Sequence, residues 1–499
     1  MIIIISHRYD VSDRCAASLA SCLLLDLGLI SEQNLTNVID KGKVRREREK
    51  FRENMRREET PTGPVLCFDG RKDLTWTYEK TPDGRWRRRQ KREEHYVLLS
   101  EPDSIYLGHV SPESGKAEDV TGAIMAEIGE KGHTNEISGV QCDGTNVNTG
   151  TDGGVITLIE KKLERPVQRL ICLLHMVELP LRHVLTKLYG ETTGPNAFSG
   201  PIGKQLKACE KLPTVKFRPI PVNVPEMDPA ILSTDQQYLL RIMRAVSDGE
   251  CPPPLANQMP GPINHARWLT LACRILRLYV STARPTTNLK TITTFVMKVY
   301  ALSWFEIRRE PSCTHGARHL FAIIQRIKSM PQSVQKIALP VVQNNSFFAH
   351  SENILLSMLS DEREEVRQRA LARISEIRDG RSGAVVPVRK FIVPRLNFKA
   401  RDYISMSGNL NHDPPLAHKI SLDHLTEMVK APGTKLPWEG VPCHSQAVER
   451  HIRLVSDASK AVCGKKAREG LVRSKIFSRK LVQTFETKSD FQTVFRQDS

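Results

Sequence analysis

Strand-like runs are confined to one stretch of this chain, and this confinement restricts the fold more than any other feature. Five short apolar runs of the strand type occur, at 64–69, 95–100, 104–110, 138–142 and 167–173. A helical pattern at 117–130 separates the third run from the fourth, and another at about 152–163 separates the fourth from the fifth. Three consecutive strands followed by strand–helix alternation predict a mixed sheet with helices packed on it.

Helical patterns dominate both sides of this stretch. Before it, residues 10–30 have apolar side chains at Leu19, Leu23, Leu27 and Ile30, which predicts a buried or amphipathic helix. After His175, six helical segments are predicted, at 176–190, 233–249, 264–283, 289–307, 315–328 and 352–378. The segment 380–440 is irregular, and the helical pattern returns at 443–483. Residues 79–94 are predicted to form a charged turn around Asp83 and Gly84.

The charge balance favours a polyanionic partner. Lys and Arg number 73 against 56 Asp and Glu, a formal net charge of +17, which indicates nucleic acid before a membrane surface. No run of 18 apolar residues is present, so a membrane-spanning helix is not expected. The 11 cysteines include no CxxC pair, which argues against a disulfide framework or zinc finger and favours a reduced, intracellular setting.

Three basic clusters are candidates for phosphate contact. The first is a predicted helix at 41–57. The second surrounds Trp86 with Arg85, Arg87, Arg88, Arg89, Lys91 and Arg92. The third lines the C-terminal segment with Lys460, Lys465, Lys466, Arg468, Arg473, Lys475, Arg479 and Lys480. Each is open to two interpretations, a solvated face with i,i+4 ion pairs or a surface that follows phosphates.

Three acidic positions are candidates for metal chemistry. Asp69 ends the first strand in CFDGRKD, Asp143 ends the fourth in VQCDGTNVNTG, and Glu449 heads a probable helix in HSQAVERHIRLV. If the first and fourth strands are neighbours, both aspartates project at one sheet edge, where Glu449 would complete an oxygen cage for two divalent ions. The alternatives are ordinary Asp-Gly turns and a surface Glu-Arg pair.

The order of motifs resembles the hAT superfamily of DNA transposases. FDGRKDLT is similar to the family's first-strand block, VQCDGTNVNTG to its second Asp block, and ICLLH to its Cys-x-x-His element. INHARWLT is similar to the Arg-Trp signature of the family's insertion, and SQAVERHIRLVSDASKAVCG to the C-terminal acidic block. These five blocks cover roughly 64–485 in the family order. Two sequence patterns in this chain resemble those of a group of animal transposon-derived proteins, NTGxxGGVI and RPxQRxICLLHxxELPLRH.

The resemblance implies an α/β RNase H-like core, a mixed sheet with flanking helices, interrupted by a large all-α insertion domain. The expected division begins with an N-terminal helical and basic segment at 1–60 and the first part of the core at 61–175. A mainly α-helical insertion follows at 176–440. The last part of the core, with a C-terminal helix, is expected at 441–485, and a tail at 486–499. This fold class and these boundaries are expectations from the resemblance.

The resemblance also implies the site residues. Asp69, Asp143 and Glu449 become the DDE ligands of Mg²⁺ or Mn²⁺, with Asp73 as a fallback for the first position. The family's Arg-Trp pair corresponds to Arg267 and Trp268, with the tryptophan stacking near a DNA end, whereas the helical pattern around Trp268 by itself favours core packing. The supporting residues would be Cys172 and His175, for which we favour packing and orientation over a role at the scissile phosphate.

The implied activity is metal-dependent DNA strand cleavage and transfer, on double-stranded DNA with transposon ends and target, in the nucleus. A second copy of the chain is a further candidate partner. Two departures from the family favour a truncated or domesticated protein: no Cys/His set precedes Pro61, and Arg71 stands where the family commonly has an aromatic residue. DNA recognition would then depend on 41–57 and Arg85–Arg92. The alternative function is a non-catalytic DNA-binding or scaffold protein that retains the fold.

Overall fold

The structure, a computed structural model, separates into two compact units. It describes residues 1–58, 62–189, 192–194, 197–198, 200–262, 268–380, 388–431, 434–444 and 446–482. The first unit holds the described residues of Met1–Ser100, Ser104–Glu136 and Gln446–Ser499. The second unit holds those of Glu101–Asp103 and Ile137–Ser445.

The described elements follow one another along the chain as α1 (Ile2–Arg8), α2 (Asp13–Asp26), α3 (Lys41–Arg57), β1 (Val65–Lys80), β2 (Trp86–Glu101), β3 (Ile105–Val110), α4 (Ala117–Glu130), β4 (Gly139–Cys142), α5 (Asn146–Thr149), α6 (Val155–Leu163), β5 (Gln168–Ile171), α7 (Leu173–Tyr189), β6 (Thr192–Gly194), β7 (Ala197–Phe198), α8 (Pro201–Leu206), α9 (Thr234–Asp248), α10 (Pro253–Ala256), α11 (Trp268–Tyr279), α12 (Thr287–Phe295), α13 (Ala301–Arg309), α14 (Gly316–Lys328), α15 (Gln332–Asn344), α16 (Ser351–Leu359), α17 (Glu364–Asp379), α18 (Pro415–His418), α19 (Leu422–Lys430), α20 (Gln446–Ala461) and α21 (Lys465–Leu481).

A long hairpin, β1 and β2, dominates the first unit. The turn is confined to Thr81–Arg85, where the Thr81 amide donates to the Arg85 carbonyl at 2.8 Å and Gly84 has φ +79°. The predicted charged turn at 79–94 is therefore wrong in extent. Residues 86–92 form an exposed strand, and charged side chains on both of its faces leave no apolar alternation that would indicate a strand.

The apolar half of this hairpin carries the core of the first unit. β2 pairs antiparallel with β3, from Tyr96 opposite Val110 to Ser100 opposite Ile105. Buried side chains of all three strands then pack against α20 and α21, in one cluster that contains Cys67, Val97, Leu99, Tyr106, Ala447, Val448, Leu454, Val455, Ala458, Leu471 and Val472. Burial of such side chains is the main stabilising term for these elements. Two helices therefore fix one face of β1.

The N-terminal helices confirm the predicted helical segment, and the predicted Ile30 is buried at 7% exposure, but the predicted leucines are exposed. Leu19 and Leu23 are 64% and 57% exposed, whereas α2 packs through Ala16, Ala17 and Ala20. Ala16 and Ala17 form one buried cluster with Val44 of α3, and their small side chains let the two helices approach closely. The leucine spacing identified a helix but selected the wrong face, because periodicity does not distinguish a packed stripe from an exposed one.

The second unit contains a parallel strand pair and most of the helices. β4 and β5 pair in parallel from Gly139 opposite Gln168 to Cys142 opposite Ile171. The segments predicted as helices are helical over most of their described residues, and 352–378 divides into α16 and α17. The prediction misses α15, which contains Pro340; a proline inside a helix removes one backbone hydrogen bond and normally signals a break.

The strands of the first unit are thus antiparallel, whereas the second unit contains the parallel pair β4–β5 and the short antiparallel pair β6–β7. With helices packed around them, this agrees with a mixed α/β class. The RNase H-like core, the insertion and the five predicted boundaries stay predictions. No described helix combines the length and the apolar character needed to cross a membrane.

Candidate functional site

Asp69 lies where β1 leaves its buried part. The four preceding residues of the strand are buried and Asp69 is half-buried, so its carboxylate is held at the end of a rigid segment. Its Oδ1 accepts a hydrogen bond from the Gly70 amide at 2.7 Å. A Cβ at Gly70 would lie 2.7 Å from the Tyr96 ring, so the glycine of this Asp-Gly pair is required by close packing on β2.

The fallback position, Asp73, has a different environment. It is 6% exposed; Oδ2 accepts a hydrogen bond from Ser456 of α20, and Oδ1 pairs with Arg71 at 3.3 Å. These contacts use both carboxylate oxygens within the first unit. Asp73 is therefore a packing contact between β1 and α20, and a ligand role for it would require breaking that contact.

Two contacts define the direction of α20 along β1. Asp73 meets Ser456, and three residues further along β1 the Trp76 carbonyl accepts a hydrogen bond from Gly464 at 3.4 Å. The residue numbers of both partners rise from the first contact to the second, so α20 runs in the same direction as β1. Glu449 precedes Ser456 by two helical turns, about 10 Å, and Asp69 precedes Asp73 by about 13 Å of strand. Glu449 and Asp69 therefore belong to the same end of this pair.

Glu449 lies on the accessible side of α20. Its neighbours Ala447 and Val448 are buried in the core cluster, while Glu449 and Arg450 are exposed. The side chains of AVER thus change from buried to exposed within one helical turn. The arrangement keeps the carboxylate hydrated and anchors its backbone.

Asp143 follows β4 in the second unit and is bound to its own turn. Its Oδ1 accepts hydrogen bonds from the Thr145 amide at 3.3 Å, from Thr145 Oγ1 at 2.9 Å and from Asn148 Nδ2 at 2.5 Å. These bonds form an Asx turn at the start of α5. The polar residues that follow Asp143 in DGTNVNTG therefore orient this carboxylate through one oxygen.

A third residue, His444, joins the Cys172 and His175 pair, and no sequence motif indicates it. The Cys172 sulfur lies 3.0 Å from His444 Nδ1 and accepts a hydrogen bond from the His175 amide at 3.4 Å. Burial lowers the pKa of His444 to about 3. Burial also lowers the pKa of His175, an effect that the charge of Asp143 partly opposes. Both imidazoles are therefore neutral near pH 7, and His175 lies near the predicted Asp143 ligand.

The predicted DNA-stacking pair is described only in part. Trp268 is 8% exposed at the start of the described α11, which agrees with the packing interpretation drawn from its helical pattern. Arg267 lies outside the described residues. The roles of these two residues at DNA stay predictions.

A large open cavity in the first unit brings two predicted basic segments together. It has a volume of about 960 Å³, and we call it the basic groove. The cationic side chains that line it are Arg45, Arg48, Arg52 and Arg56 of α3, Arg88 of β2 and Lys466 of α21. The four arginines of α3 recur every three or four residues, which places them on one helix face.

Some groove cations serve the fold. Arg48 is 9% exposed; it donates to Ser6 Oγ at 3.1 Å and pairs with Asp13. Arg45 pairs with Glu49 at 3.0 Å and Arg56 with Glu53 at 2.6 Å. The solvated-helix interpretation of 41–57, with its i,i+4 pairs, is thus correct for part of this helix.

Other groove cations are less constrained. The Arg88 guanidinium carbon lies 4.0 Å from the Trp76 ring centroid, which is a cation–π contact. Among the described residues, neither Arg88 nor Lys466 forms an ion pair. Trp86, at the tip of the same hairpin, is 67% exposed. The hairpin therefore presents an aromatic ring and several cations to solvent.

The C-terminal basic cluster divides into exposed and internal members: Lys460, Lys465, Lys466, Arg479 and Lys480 are exposed, whereas Arg468, Arg473 and Lys475 are not. Lys475 is 7% exposed and pairs with Asp10 at 2.6 Å, Arg468 is 3% exposed and pairs with Glu93 at 3.3 Å, and Arg473 pairs with Glu469 at 2.7 Å. These three side chains hold α21 in the first unit. The spacing of basic residues in α21 thus reflects packing as well as surface charge.

In the part of the chain that the structure describes, no three His, Cys, Asp or Glu side chains are grouped so that they could hold a metal ion. The acidic positions nevertheless have the donor chemistry that Mg²⁺ prefers, since all three supply carboxylate oxygens.

The chain was compared with protein families, curated proteins and solved structures. No protein-family model matches the chain, and no curated protein matches it. A solved structure, the Drosophila P element transposase strand transfer complex, matches 96% of this chain and 91% of its own chain, with 12% sequence identity and a TM-score of 0.34.

Proposed function

We propose that this chain is a transposase-like DNA-binding protein whose basic groove follows the phosphates of double-stranded DNA. The observation that carries the proposal is that α3 and the charged hairpin, which follow each other along the chain, line one cavity together with α21, which is far from both in sequence. Four carboxylates, Asp10, Asp13, Glu49 and Glu53, also line the groove, but they are outnumbered by the six cations, whose excess of two positive charges favours a nucleic-acid backbone. Their convergence also distinguishes the groove from scattered surface charge.

The ancestral reaction in this proposal is metal-dependent cleavage and transfer of DNA strands. Asp69, Asp143 and Glu449 would hold Mg²⁺ or Mn²⁺, which when bound would supply Lewis-acid activation of the attacking oxygen and stabilise the leaving oxygen. Support comes from the first unit, where the direction of α20 along β1 assigns Glu449 and Asp69 to the same end. In the second unit, the Asx turn orients the Asp143 carboxylate. An RNase H-like core and nuclear DNA as substrate belong to the same proposal.

A second candidate function, a non-catalytic DNA-binding protein with the same fold, is favoured by one specific observation. Thr145 and Asn148 donate three hydrogen bonds to Asp143 Oδ1. An aspartate that only stabilises a turn has the same pattern. In this alternative the groove binds DNA and the carboxylates are structural. Self-association is compatible with either function.

Groove binding is tested by measuring duplex affinity, by fluorescence anisotropy, for Arg88→Ala and Lys466→Ala. Each variant is expected to bind less tightly because it removes one phosphate-facing cation. The matched control is Arg57→Ala. Arg57 is on α3, its side chain is 74% exposed and it pairs with Glu53, but it does not line the groove. Equal losses in all three variants would show that net charge, and not the groove, determines binding.

Catalysis is tested by a Mn²⁺-dependent nicking assay on supercoiled DNA with Asp69→Asn and Glu449→Gln. We expect both variants to lose nicking by at least about 100-fold, since each removes one carboxylate from a metal site, and to keep wild-type DNA affinity. Nicking by the wild-type chain that both variants retain would reject the triad. If the wild-type chain binds DNA without nicking it, the non-catalytic alternative is favoured.

A further inference from the structure

The charged hairpin has one register from its turn to its buried half, and this register shows which side chains share a face. β1 and β2 are neighbours in the sheet. The Thr81 amide is bonded to Arg85 at the turn, and the Tyr96 ring lies 2.7 Å from the position of a Cβ on Gly70. Both contacts join residues that are directly opposite in the same antiparallel pairing. Opposite side chains lie on one face, and successive residues alternate between the two faces.

One face of the exposed half, which we call the aromatic face, combines large apolar side chains with cations. Tyr78 is 59% exposed, Leu74 53% and Trp86 67%. Exposed apolar side chains grouped on one face indicate an interaction surface. Among the described residues of this face, none is acidic. Its members are Leu74, Trp76, Tyr78 and Lys80 of β1, with Trp86, Arg88, Gln90 and Arg92 of β2.

The other face of the same strands has a different character. Its residues Asp73 and Thr75 are buried in the first unit, and Asp73 accepts a hydrogen bond from Ser456 of α20. Closer to the turn, Glu79 pairs with Arg89 at 3.8 Å. Acidic side chains and the contact with α20 therefore distinguish this face from the aromatic face.

Rings and cations are interleaved on the aromatic face. Arg88 is directly opposite Tyr78 in the pairing. The Arg88 guanidinium carbon lies 4.0 Å from the Trp76 ring centroid, so Trp76 holds this cation beside the tyrosine. Trp86 is the diagonal neighbour of Tyr78, a position about 7–8 Å away in a sheet. Two exposed rings therefore lie beside one oriented cation.

This arrangement fits unpaired bases better than a duplex. An aromatic ring stacks on the face of a base whatever its identity, and a nearby cation contacts the phosphate. In a duplex the base faces are covered by the neighbouring base pairs, so the rings would find no face to stack on. The cations Lys80, Arg88 and Arg92, with no acid among them, match the charge of a nucleic-acid strand.

The position of the aromatic face favours DNA as the source of this strand. Tyr78 and Arg88 also line the basic groove, so the two surfaces are continuous within the first unit. A strand that leaves a duplex held in the groove would pass directly onto the aromatic face.

We infer that the aromatic face binds single-stranded DNA. Tyr78 and Trp86 stack on two unpaired bases, and Arg88, which Trp76 positions, contacts a phosphate between them. The choice of DNA rests on the proposed function, which concerns the phosphates of paired strands. The inference adds the recognition of unpaired bases by the rings of the hairpin.

The test measures, by fluorescence anisotropy, the affinity of the full chain for a thymidine oligonucleotide, a blunt duplex, and the same duplex with a single-stranded thymidine extension. The wild-type chain should bind the extended duplex at least about tenfold more tightly than the blunt duplex. Tyr78→Ala and Trp86→Ala should each weaken binding of the extended duplex and of the oligonucleotide by about tenfold, the value of one stacked base. Both should keep the blunt-duplex affinity. Tyr78→Phe, which keeps the ring, should bind all three probes as the wild-type chain does.

The matched control is Tyr9→Ala. Tyr9 is also an exposed tyrosine of the first unit, at 48%, but it lies outside the hairpin and does not line the basic groove. This variant should keep the wild-type affinity for all three probes. Because the replaced rings are exposed in every variant, all of them should melt near the wild-type temperature.

The inference would be overturned if the extension added no affinity to the wild-type complex, or if Tyr78→Ala and Trp86→Ala bound the extended duplex as tightly as wild type. Equal losses with blunt and extended probes would assign the rings to the duplex. Tighter binding of a uridine ribonucleotide extension would assign the face to RNA. A wild-type dimer that these two variants convert to a monomer in light scattering, with DNA binding unchanged, would assign the face to a second copy. Ring-dependent binding of the oligonucleotide by a chain that does not bind the blunt duplex would instead support the inference and reject the proposed groove.

Discussion

Asp69 and Asp73 illustrate how four residues along one strand separate a candidate ligand from a packing contact. Both lie on the same face of β1, because side chains on a strand alternate with a period of two. Asp73 contacts Ser456 and Arg71 and is buried, whereas Asp69 is half-buried at the end of the buried run 65–68. Contact with α20 thus commits the Asp73 carboxylate to packing.

Asp73→Asn should therefore lower stability and leave any Mn²⁺-dependent nicking unchanged. The substitution removes the Arg71 ion pair and weakens the Ser456 hydrogen bond, at a cost of about 1–2 kcal/mol. Urea unfolding followed by circular dichroism measures this loss, with Asp69→Asn as a control that should unfold near the wild-type midpoint. Loss of nicking in Asp73→Asn with unchanged stability would instead make Asp73 the first ligand.

His7 makes the stability of the N-terminal helices dependent on pH. Burial lowers its pKa from 6.5 to about 4, and the Ile3 carbonyl only partly opposes this by accepting a hydrogen bond from Nδ1. Nε2 is then unprotonated and accepts a hydrogen bond from Arg52 at 3.1 Å. Because the folded pKa is depressed, the unfolded chain binds the proton first as the pH falls.

The wild-type chain should accordingly lose stability between about pH 6.5 and pH 4, by up to about 3 kcal/mol from this group. His7→Gln should remove that contribution while keeping a side chain that can accept from Arg52. Denaturant unfolding at a series of pH values measures the difference between the two proteins. The other buried histidines contribute equally to both. Parallel pH profiles would show that His7 is not the group responsible.

At the scale of elements, the charged hairpin depends on one glycine. Gly84 has φ +79° in the turn between β1 and β2, a left-handed conformation that costs other residues about 1 kcal/mol or more. The strand ends on either side are exposed and contribute little apolar burial. The turn therefore has a large share in keeping the Arg88 side of the hairpin ordered.

Gly84→Ala should increase amide hydrogen exchange near Thr81 and Arg85 and leave the buried half of the hairpin protected. Gly28→Ala is a matched control, because Gly28 also has a positive φ, +68°, but follows α2. That variant should leave exchange in the hairpin unchanged. Identical hairpin exchange in wild type and Gly84→Ala would mean that the strands, and not the turn, determine its order.

At the scale of the whole molecule, the excess of 17 positive charges includes cations with very different roles. Arg468, Arg473 and Lys475 stabilise the first unit through internal pairs. Arg88 and Lys466 line the basic groove without a described ion pair. Net charge therefore predicts the class of partner, whereas the ion pairs identify which cations can exchange counterions for phosphates.

DNA affinity should fall steeply with salt, with a slope of about −0.9 in log–log form for each phosphate contacted. The double variant of Arg88→Ala and Lys466→Ala should have a slope shallower by about 2, whereas Arg57→Ala should keep the wild-type slope. Anisotropy titrations between about 50 and 200 mM salt provide the measurement. An unchanged slope in the double variant would contradict phosphate contact by these two residues.

The sequence alone determined the kinds of element and much of their order. Apolar periodicity located most helices and the buried parts of the strands, since local side-chain spacing reflects the period of the backbone. It also identified Asp69, Asp143 and Glu449 as candidates by their positions after strands or on a helix. It could not extend β1 and β2 through their charged halves, where no face is buried.

Tertiary packing decided what local spacing leaves open. It selected the alanine face of α2 instead of its leucines, enclosed Asp73 under α20, and placed His444 against Cys172 across a sequence separation of 272 residues. It also divided the basic residues into internal ion pairs and groove cations. These outcomes depend on which surfaces meet, because burial and pairing are determined by contacts between distant segments and not by the period of any one segment.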